Sequence, residues 1–187
     1  MPAKQETPSA AVERKTHAWL KEFVVGLNLC PFARPVITSN TLRIAVCVAD
    51  EEEGVAKALL DEIAFIQSAP EAEVATTLVV YPNALTQFDA YLAFLNGAEQ
   101  LLEEMGLEGV LQLASFHPDY QFAGEPFDAT SHFTNRAPFP MVHVLREDMV
   151  TRALEEFPDP EQIPERNIRV LEDLGRERIQ EILAALD

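Results

Sequence analysis

The sequence predicts an α/β fold, with an α+β arrangement as the alternative, built on a small mixed sheet of about four strands. Residues 41–48 alternate between apolar and polar side chains, which is the period of a half-buried strand. Segments 75–81 and 110–114 are also β-rich, and stretches with helical spacing of apolar residues separate these three strands. That order predicts two helical crossovers and a parallel core of three strands. A fourth strand over 141–145 follows one long irregular loop, 116–140, and its direction is left open.

Helices are expected to pack on this sheet. A stripe of apolar side chains predicts the first helix over about 9–27, and Pro31 and Pro35 end it, because proline cannot donate a helical hydrogen bond. Further helices follow the first and second strands. Two helical segments close the chain, near 148–157 and 164–186.

Length and charge limit the function. The 187 residues predict a flexible tail over 1–8 and a single domain over 9–187. The net charge of −17 argues against nucleic-acid binding, which needs clustered basic residues. No apolar run approaches the roughly 20 residues of a membrane helix, and the N-terminus lacks the apolar core of a signal peptide. We therefore expect a cytoplasmic protein with reduced cysteines that binds neither nucleic acid nor membranes.

The loop 116–140 is the segment in which chemistry is expected. It begins at the C-terminal end of the third predicted strand, where open α/β sheets bind ligands. A connection of this length is usually functional or disordered, and its many aromatic side chains argue against disorder. The alternative is a lid packed by its own aromatics, with polar groups satisfying its backbone. Its aromatic residues include Phe116, Tyr120, Phe122, Phe127 and Phe133.

Histidines supply the candidate acid/base groups. His117 directly follows a buried strand and precedes Pro118, which suits a general base, so it is predicted to be catalytic; the alternative is a histidine that caps the strand end. His143, in the fourth strand, is a candidate for ligand binding, with a satisfied core histidine as its alternative. No metal or cofactor is predicted, because the spacing of the polar loop residues matches no standard metal pattern: His117, Asp119, Asp128 and His132.

Basic side chains supply the candidate anion-binding groups. Arg136 is predicted to clamp a carboxylate or phosphate, because a guanidinium binds either anion through two hydrogen bonds. Arg146 is given the same role, and Asn135 and Arg34 complete the predicted ligand-binding set. The alternative for each arginine is a salt bridge to one of the 31 acidic residues.

Cys30 is the candidate nucleophile. The nearby Arg34 favours its reactive thiolate, whereas the C-terminal end of the predicted first helix opposes it. The alternative is a small buried thiol, which is also the interpretation of Cys47 inside the first strand.

Several of these segments together resemble an uncharacterised bacterial family known only as a domain of unknown function, number fourteen-fifteen. The resemblance rests on NLCPFA at 28–33, FHPDYQF at 116–122, TNRAPFP at 134–140 and MVHVLRE at 141–147. It extends from about Thr16 onward over nearly the whole chain. The resemblance implies a stand-alone cytoplasmic domain and assigns no activity, cofactor or catalytic residue.

The leading hypothesis is a small-molecule enzyme or binding protein for an anionic ligand, with its site in the loop 116–140. His117 would be its acid/base group, Arg136 its anion clamp and Cys30 its nucleophile or a neighbour of the reacting groups, all three lying at one sheet edge. The alternative is a non-enzymatic protein-interaction domain that docks through the aromatic loop.

Overall fold

A four-stranded mixed sheet forms the centre of the computed structural model, which describes residues 7–186. The strands are β1 (Leu42–Val46), β2 (Thr76–Val80), β3 (Leu111–Phe116) and β4 (Met141–Arg146). Their order across the sheet is β1-β2-β4-β3, with β1 parallel to β2 and β4 antiparallel to both of its neighbours. The predicted α/β class and mixed sheet are confirmed.

Helices pack on both faces of the sheet. Within the described residues they are α1 (Pro8–Ala18), α2 (Ala33–Thr38), α3 (Glu52–Ser68), α4 (Phe88–Glu104), α5 (Glu147–Glu156), α6 (Ile163–Leu174) and α7 (Arg176–Ala184). A π-helix, Trp19–Val25, continues α1, and 3₁₀ turns lie at Thr130–Thr134 and Pro160–Gln162. None of the helices described is both long enough and apolar enough to cross a lipid bilayer.

The position of β4 determines the topology. α3 joins β1 to β2 and α4 joins β2 to β3, which confirms the predicted helical crossovers. β4 lies antiparallel between β2 and β3, so β3 points the same way as β1 and β2 but does not pair with either. The three strands run parallel as predicted, but they are not all neighbours, because β4 is the hydrogen-bonding partner of both β2 and β3.

Several helix boundaries differ from the sequence-based expectation. Thr7 caps α1 and Pro8 is its first residue, whereas the rest of the predicted tail, 1–6, lies outside the described residues. The short α2 was not predicted. Pro35 is its third residue, a position at which a helix needs no N–H donor. The last predicted helix is divided into α6 and α7 at Gly175, whose φ of 76° ends α6.

Each face of the sheet has its own hydrophobic cluster. On one face, α3 and α4 bury side chains such as Ile63 and Tyr91 against Val79 and Val144. The π-helix, α6 and α7 cover the other face, where the buried side chains include Trp19, Phe23, Leu78, Val80, Met141, Leu171 and Ile179. The sheet is thus a middle layer between two helical layers, and its side chains are divided between two separate clusters.

The π-helix Trp19–Val25 is the irregular element of the second helical layer. Trp19 and Phe23 are buried beneath it at 1% and 0% exposure. A glycine follows it at position 26, where a Cβ atom would overlap the carbonyl oxygen of Glu22. π-helical turns are rare and frequently occur at functional sites, so this segment favours a site on the sheet face that it covers.

Candidate functional site

The loop between β3 and β4 is packed mainly by its own aromatic side chains. Phe133 is 3% exposed, and Tyr120 and Phe122 are half-buried, with their ring centroids 5.1 Å apart. Phe127 is the exception, at 77% exposure. Most loop aromatics therefore face inward, and they do not form the exposed flat patch that the protein-docking alternative requires.

His117 is fully buried at the end of β3, and both of its ring nitrogens contact backbone groups. Nδ1 accepts a hydrogen bond from the Asp119 N–H at 3.0 Å, so the proton is on Nε2, which donates to the Leu85 carbonyl oxygen at 3.0 Å. Burial lowers the pKa of His117, which keeps the ring neutral. No ring nitrogen is free to take a substrate proton, and this geometry matches the strand-end alternative for His117.

His132 is held in the same way. Its Nδ1 accepts from the Phe122 N–H at 3.1 Å, and its Nε2 donates to the Pro126 carbonyl oxygen at 2.8 Å. His132 thus connects two parts of the loop through backbone hydrogen bonds, and His117 connects the loop to Leu85 in the same way. Across residues 7–186, no three His, Cys, Asp or Glu side chains are grouped so that they could hold a metal ion.

Arg146 and Asn135, two predicted ligand-binding residues, also contact backbone. Arg146 Nη2 donates to the carbonyl oxygens of Ile66 and Ala69, both at 2.6 Å, where α3 ends. Asn135 Nδ2 donates to the Ser115 carbonyl oxygen at 3.0 Å. Each side chain joins separate segments of the fold, so Arg146 Nη2 and Asn135 Nδ2 are committed to structure. Arg34 is different, because its side chain is exposed on α2.

Arg136 lies beside a second arginine that the sequence analysis did not select. The Arg136 guanidinium carbon is 4.7 Å from the centroid of the Phe133 ring, and that of Arg176 is 5.4 Å from the same centroid. Arg136 Nε donates to the Tyr120 carbonyl oxygen at 3.2 Å, and Arg176 Nη2 to the Asp128 carbonyl oxygen at 2.6 Å. Neither guanidinium forms an ion pair with a carboxylate in the described part of the chain.

A cavity on the sheet face below the π-helix brings together two other predicted site residues, Cys30 and His143. Both line this space of about 220 Å³. Burial raises the pKa of the Cys30 thiol, although the backbone N–H groups of Phe32 and Ala33 oppose the shift. Cys30 lies between the π-helix, which ends at Val25, and α2, which begins at Ala33. The expectation that Cys30 ends the first helix is therefore wrong.

The three residues expected at one sheet edge are separated. Cys30 lies in the cluster below the π-helix, whereas the His117 ring packs against the rings of Phe88 and Tyr91 on α4, on the opposite face. Arg136 lies at the Phe133 ring. The predicted meeting of Cys30, His117 and Arg136 at one sheet edge is not supported, because Cys30 and the His117 ring pack in the clusters of opposite sheet faces.

Sequence reasoning missed Arg176 and Thr76. Arg176 is 40 positions beyond Arg136 and carries no motif of its own; Gly175 before it was the available signal for a helix break. Thr76 Oγ1 lies 2.6 Å from His143 Nε2 across the β2–β4 pair. That contact depends on strand order, which the pattern of one strand does not contain.

Comparison with known proteins identifies a family but no closer relative. No curated protein and no solved structure shows significant similarity to this chain. The sequence profile described as "Protein of unknown function (DUF1415)" matches residues 11–181, which include the loop, the cavity lining and both arginines at Phe133. The chain belongs to this family.

Proposed function

We propose that this protein binds a small anionic ligand between Arg136 and Arg176, at the loop 116–140. The observation that carries the proposal is that two guanidinium groups share the Phe133 ring without a carboxylate partner. The chain has 31 acidic residues against 14 basic ones, and Arg43, Arg152 and Arg178 each pair with a carboxylate, whereas Arg136 and Arg176 do not within residues 7–186. Two cations that lie at the same ring and lack a carboxylate partner favour an external anion.

Electrostatics supports this assignment. Burial lowers the pKa of Arg136, and the positive charge of Arg176 lowers it further, while Asp119 acts in the opposite direction without forming an ion pair. An anion placed between the two guanidinium groups would offset their mutual repulsion. Guanidinium binds carboxylate or phosphate through paired hydrogen bonds, and the Phe133 ring restricts how each group can rotate.

The chemistry of this site favours binding over catalysis. The loop histidines, His117 and His132, have both ring nitrogens bonded to backbone groups, so neither is free as an acid/base group beside Arg136. The competing proposal of a protein-docking loop has less support, since Phe127 is the exposed member of the loop aromatics. We also propose a cytoplasmic location, because both cysteines are free thiols, as expected in a reducing compartment.

Calorimetric titration tests the proposal with inorganic phosphate, pyrophosphate and succinate as probes. At least one of them should bind the wild-type protein, and binding should weaken with added salt because ionic contacts are screened. Arg136→Gln and Arg176→Gln should each weaken that binding by about ten-fold or more, since a hydrogen bond to a charged group contributes about 1.5–3 kcal/mol.

Arg178→Gln is the matched control. Arg178 lies on the same helix as Arg176, but it is exposed and pairs with Glu181 at 2.7 Å. Its replacement removes one positive charge from α7 and should leave binding unchanged. Equal weakening by Arg178→Gln would mean that only net charge matters, and no binding of any probe to the wild-type protein would reject the proposal.

A further inference from the structure

The cavity below the π-helix differs in chemistry from the arginine pair. Its lining contains no charged side chain among the described residues, and its polar lining residues are Cys30, Thr76, Gln112 and His143. β1, β2, β3 and β4 form its floor, and the π-helix, α2 and α5 form its walls. A space of about 220 Å³ exceeds the roughly 150 Å³ that suffices for benzene in an engineered apolar cavity.

The hydrogen bonds of Thr76 fix the protonation of His143. The Thr76 hydroxyl has one hydrogen, which it donates to the Val144 carbonyl oxygen at 2.8 Å, because a carbonyl can only accept. The contact of 2.6 Å between Thr76 Oγ1 and His143 Nε2 therefore requires a proton on Nε2. In a neutral ring, this leaves a bare lone pair on His143 Nδ1, and no residue within 7–186 donates to it.

The wall opposite the sheet also has an unsatisfied polar group. Trp19 lines the cavity and is 1% exposed, yet its Nε1–H has no acceptor in the described part of the chain. Buried polar groups are hydrogen-bonded in most native structures, so unpaired ones require an explanation. Leu20 and Val24, from the same π-helix, complete this wall as apolar side chains.

We propose that this cavity is a second binding site, which takes a small neutral molecule with an apolar body and one hydroxyl group, of the size of a simple phenol. The hydroxyl donates to His143 Nδ1, and the apolar body occupies the space between Leu78, Phe116 and the π-helix. Carboxylates and phosphates are excluded, because the lining offers no cation to offset the loss of their hydration. The two sites therefore bind different chemical classes of ligand, and either proposal can be rejected without rejecting the other.

Fluorescence of Trp19 tests binding directly, because it is the one tryptophan of the sequence and lines the cavity. The probes are p-cresol and toluene, which differ by a single hydroxyl. Both should change the emission of the wild-type protein, and p-cresol should bind about ten-fold more tightly. Bound p-cresol should also slow alkylation of Cys30 by iodoacetamide, which would place the probe in this cavity. Equal affinity for both probes, or no binding of either, overturns the proposal.

Two matched substitutions identify the acceptor. His143→Leu should remove the preference for p-cresol over toluene while toluene still binds, whereas Gln112→Leu should leave the preference intact. The opposite result would assign the acceptor to Gln112 and overturn the role of His143. Ala153→Phe, which places a larger side chain in the cavity from α5, should abolish binding of both probes. Retained binding in that variant would place the probes elsewhere.

A measurement on the wild-type protein keeps the inference testable if a variant fails to fold. Long-range ¹H–¹⁵N spectra distinguish the two neutral forms of a histidine ring by the shifts of its nitrogens. The expected result is a proton on His143 Nε2 and an unprotonated Nδ1, whose shift moves when p-cresol is added. A proton on Nδ1 in the free protein would remove the acceptor and overturn the proposal.

Discussion

Arg146→Met should destabilise the protein strongly, although Arg146 was selected from the sequence as a ligand-binding residue. Its guanidinium lies across the C-terminal end of α3, which has no glycine cap. Nη2 donates to the carbonyl oxygens of Ile66 and Ala69 at 2.6 Å, and it is 3.2 Å from the carbonyl oxygen of Val74. A cation at this position also interacts favourably with the negative end of the helix dipole.

The magnitude follows from the hydrogens available. Nη2 has two, so it can fully satisfy two carbonyl oxygens, those of Ile66 and Ala69. A hydrogen bond from a charged donor contributes about 1.5–3 kcal/mol. Because Arg146 is half-buried and water can reach part of this region, we use the lower end, about 3 kcal/mol for the two bonds. For a chain of this size, that corresponds to a fall of about 6–12 °C in the unfolding midpoint.

Urea unfolding followed by Trp19 fluorescence and thermal unfolding followed by circular dichroism measure this loss. Arg178→Met is the control, since it removes an exposed ion pair that should contribute less than about 1 kcal/mol. If Arg146→Met were no more destabilising than Arg178→Met, the bonds to α3 would not stabilise the fold. Arg146 would then return to the set of candidate ligand-binding residues.

Three further predictions concern pH, thiols and charge. Burial lowers the pKa of His143 to about 4, so as the pH falls the unfolded chain protonates this histidine before the folded protein does. The free energy of unfolding should therefore decrease as the pH is lowered from about 6.5 to about 4. Urea midpoints at both ends of that range should differ less in His143→Leu than in wild type; an equal difference would contradict the assignment. Thiol titration should find two free thiols, with Cys30 reacting slowly in the native protein and Cys47 only after unfolding; absent thiols would indicate a disulfide. Electrophoretic mobility assays at physiological salt should show no binding of duplex DNA, given the net charge of −17, and a salt-sensitive complex would reveal a hidden basic surface.

The locations of the strands and most helices could be predicted from the sequence because their patterns are local. The alternation over 41–48 contains β1, and the breaks at 116 and 140 bound the irregular loop. Local patterns also identified His143, Cys30 and Arg136 as polar residues among apolar, aromatic or proline neighbours in the sequence. A period of two or 3.6 residues reports which side of an element faces the core, and these predictions needed no more than that.

The roles of the candidate residues depended on contacts between distant parts of the chain. His143 and Thr76 are 67 positions apart, and they pair because β4 inserts beside β2 instead of at an edge. Arg146 reaches Ile66 across 80 positions for the same reason. One strand's pattern is equally compatible with several neighbours, so strand order is set by how all layers pack together.

The sequence by itself determined the fold class, the acidic surface and a short set of chemically interesting side chains. The tertiary structure decided which of their polar atoms are already bonded. His117 has no free ring nitrogen, whereas His143 keeps a bare Nδ1, and Arg136 gains Arg176 as a neighbour. The physical reason is that a buried polar group must find a partner, and the partner is chosen by three-dimensional proximity, which chain order alone does not fix.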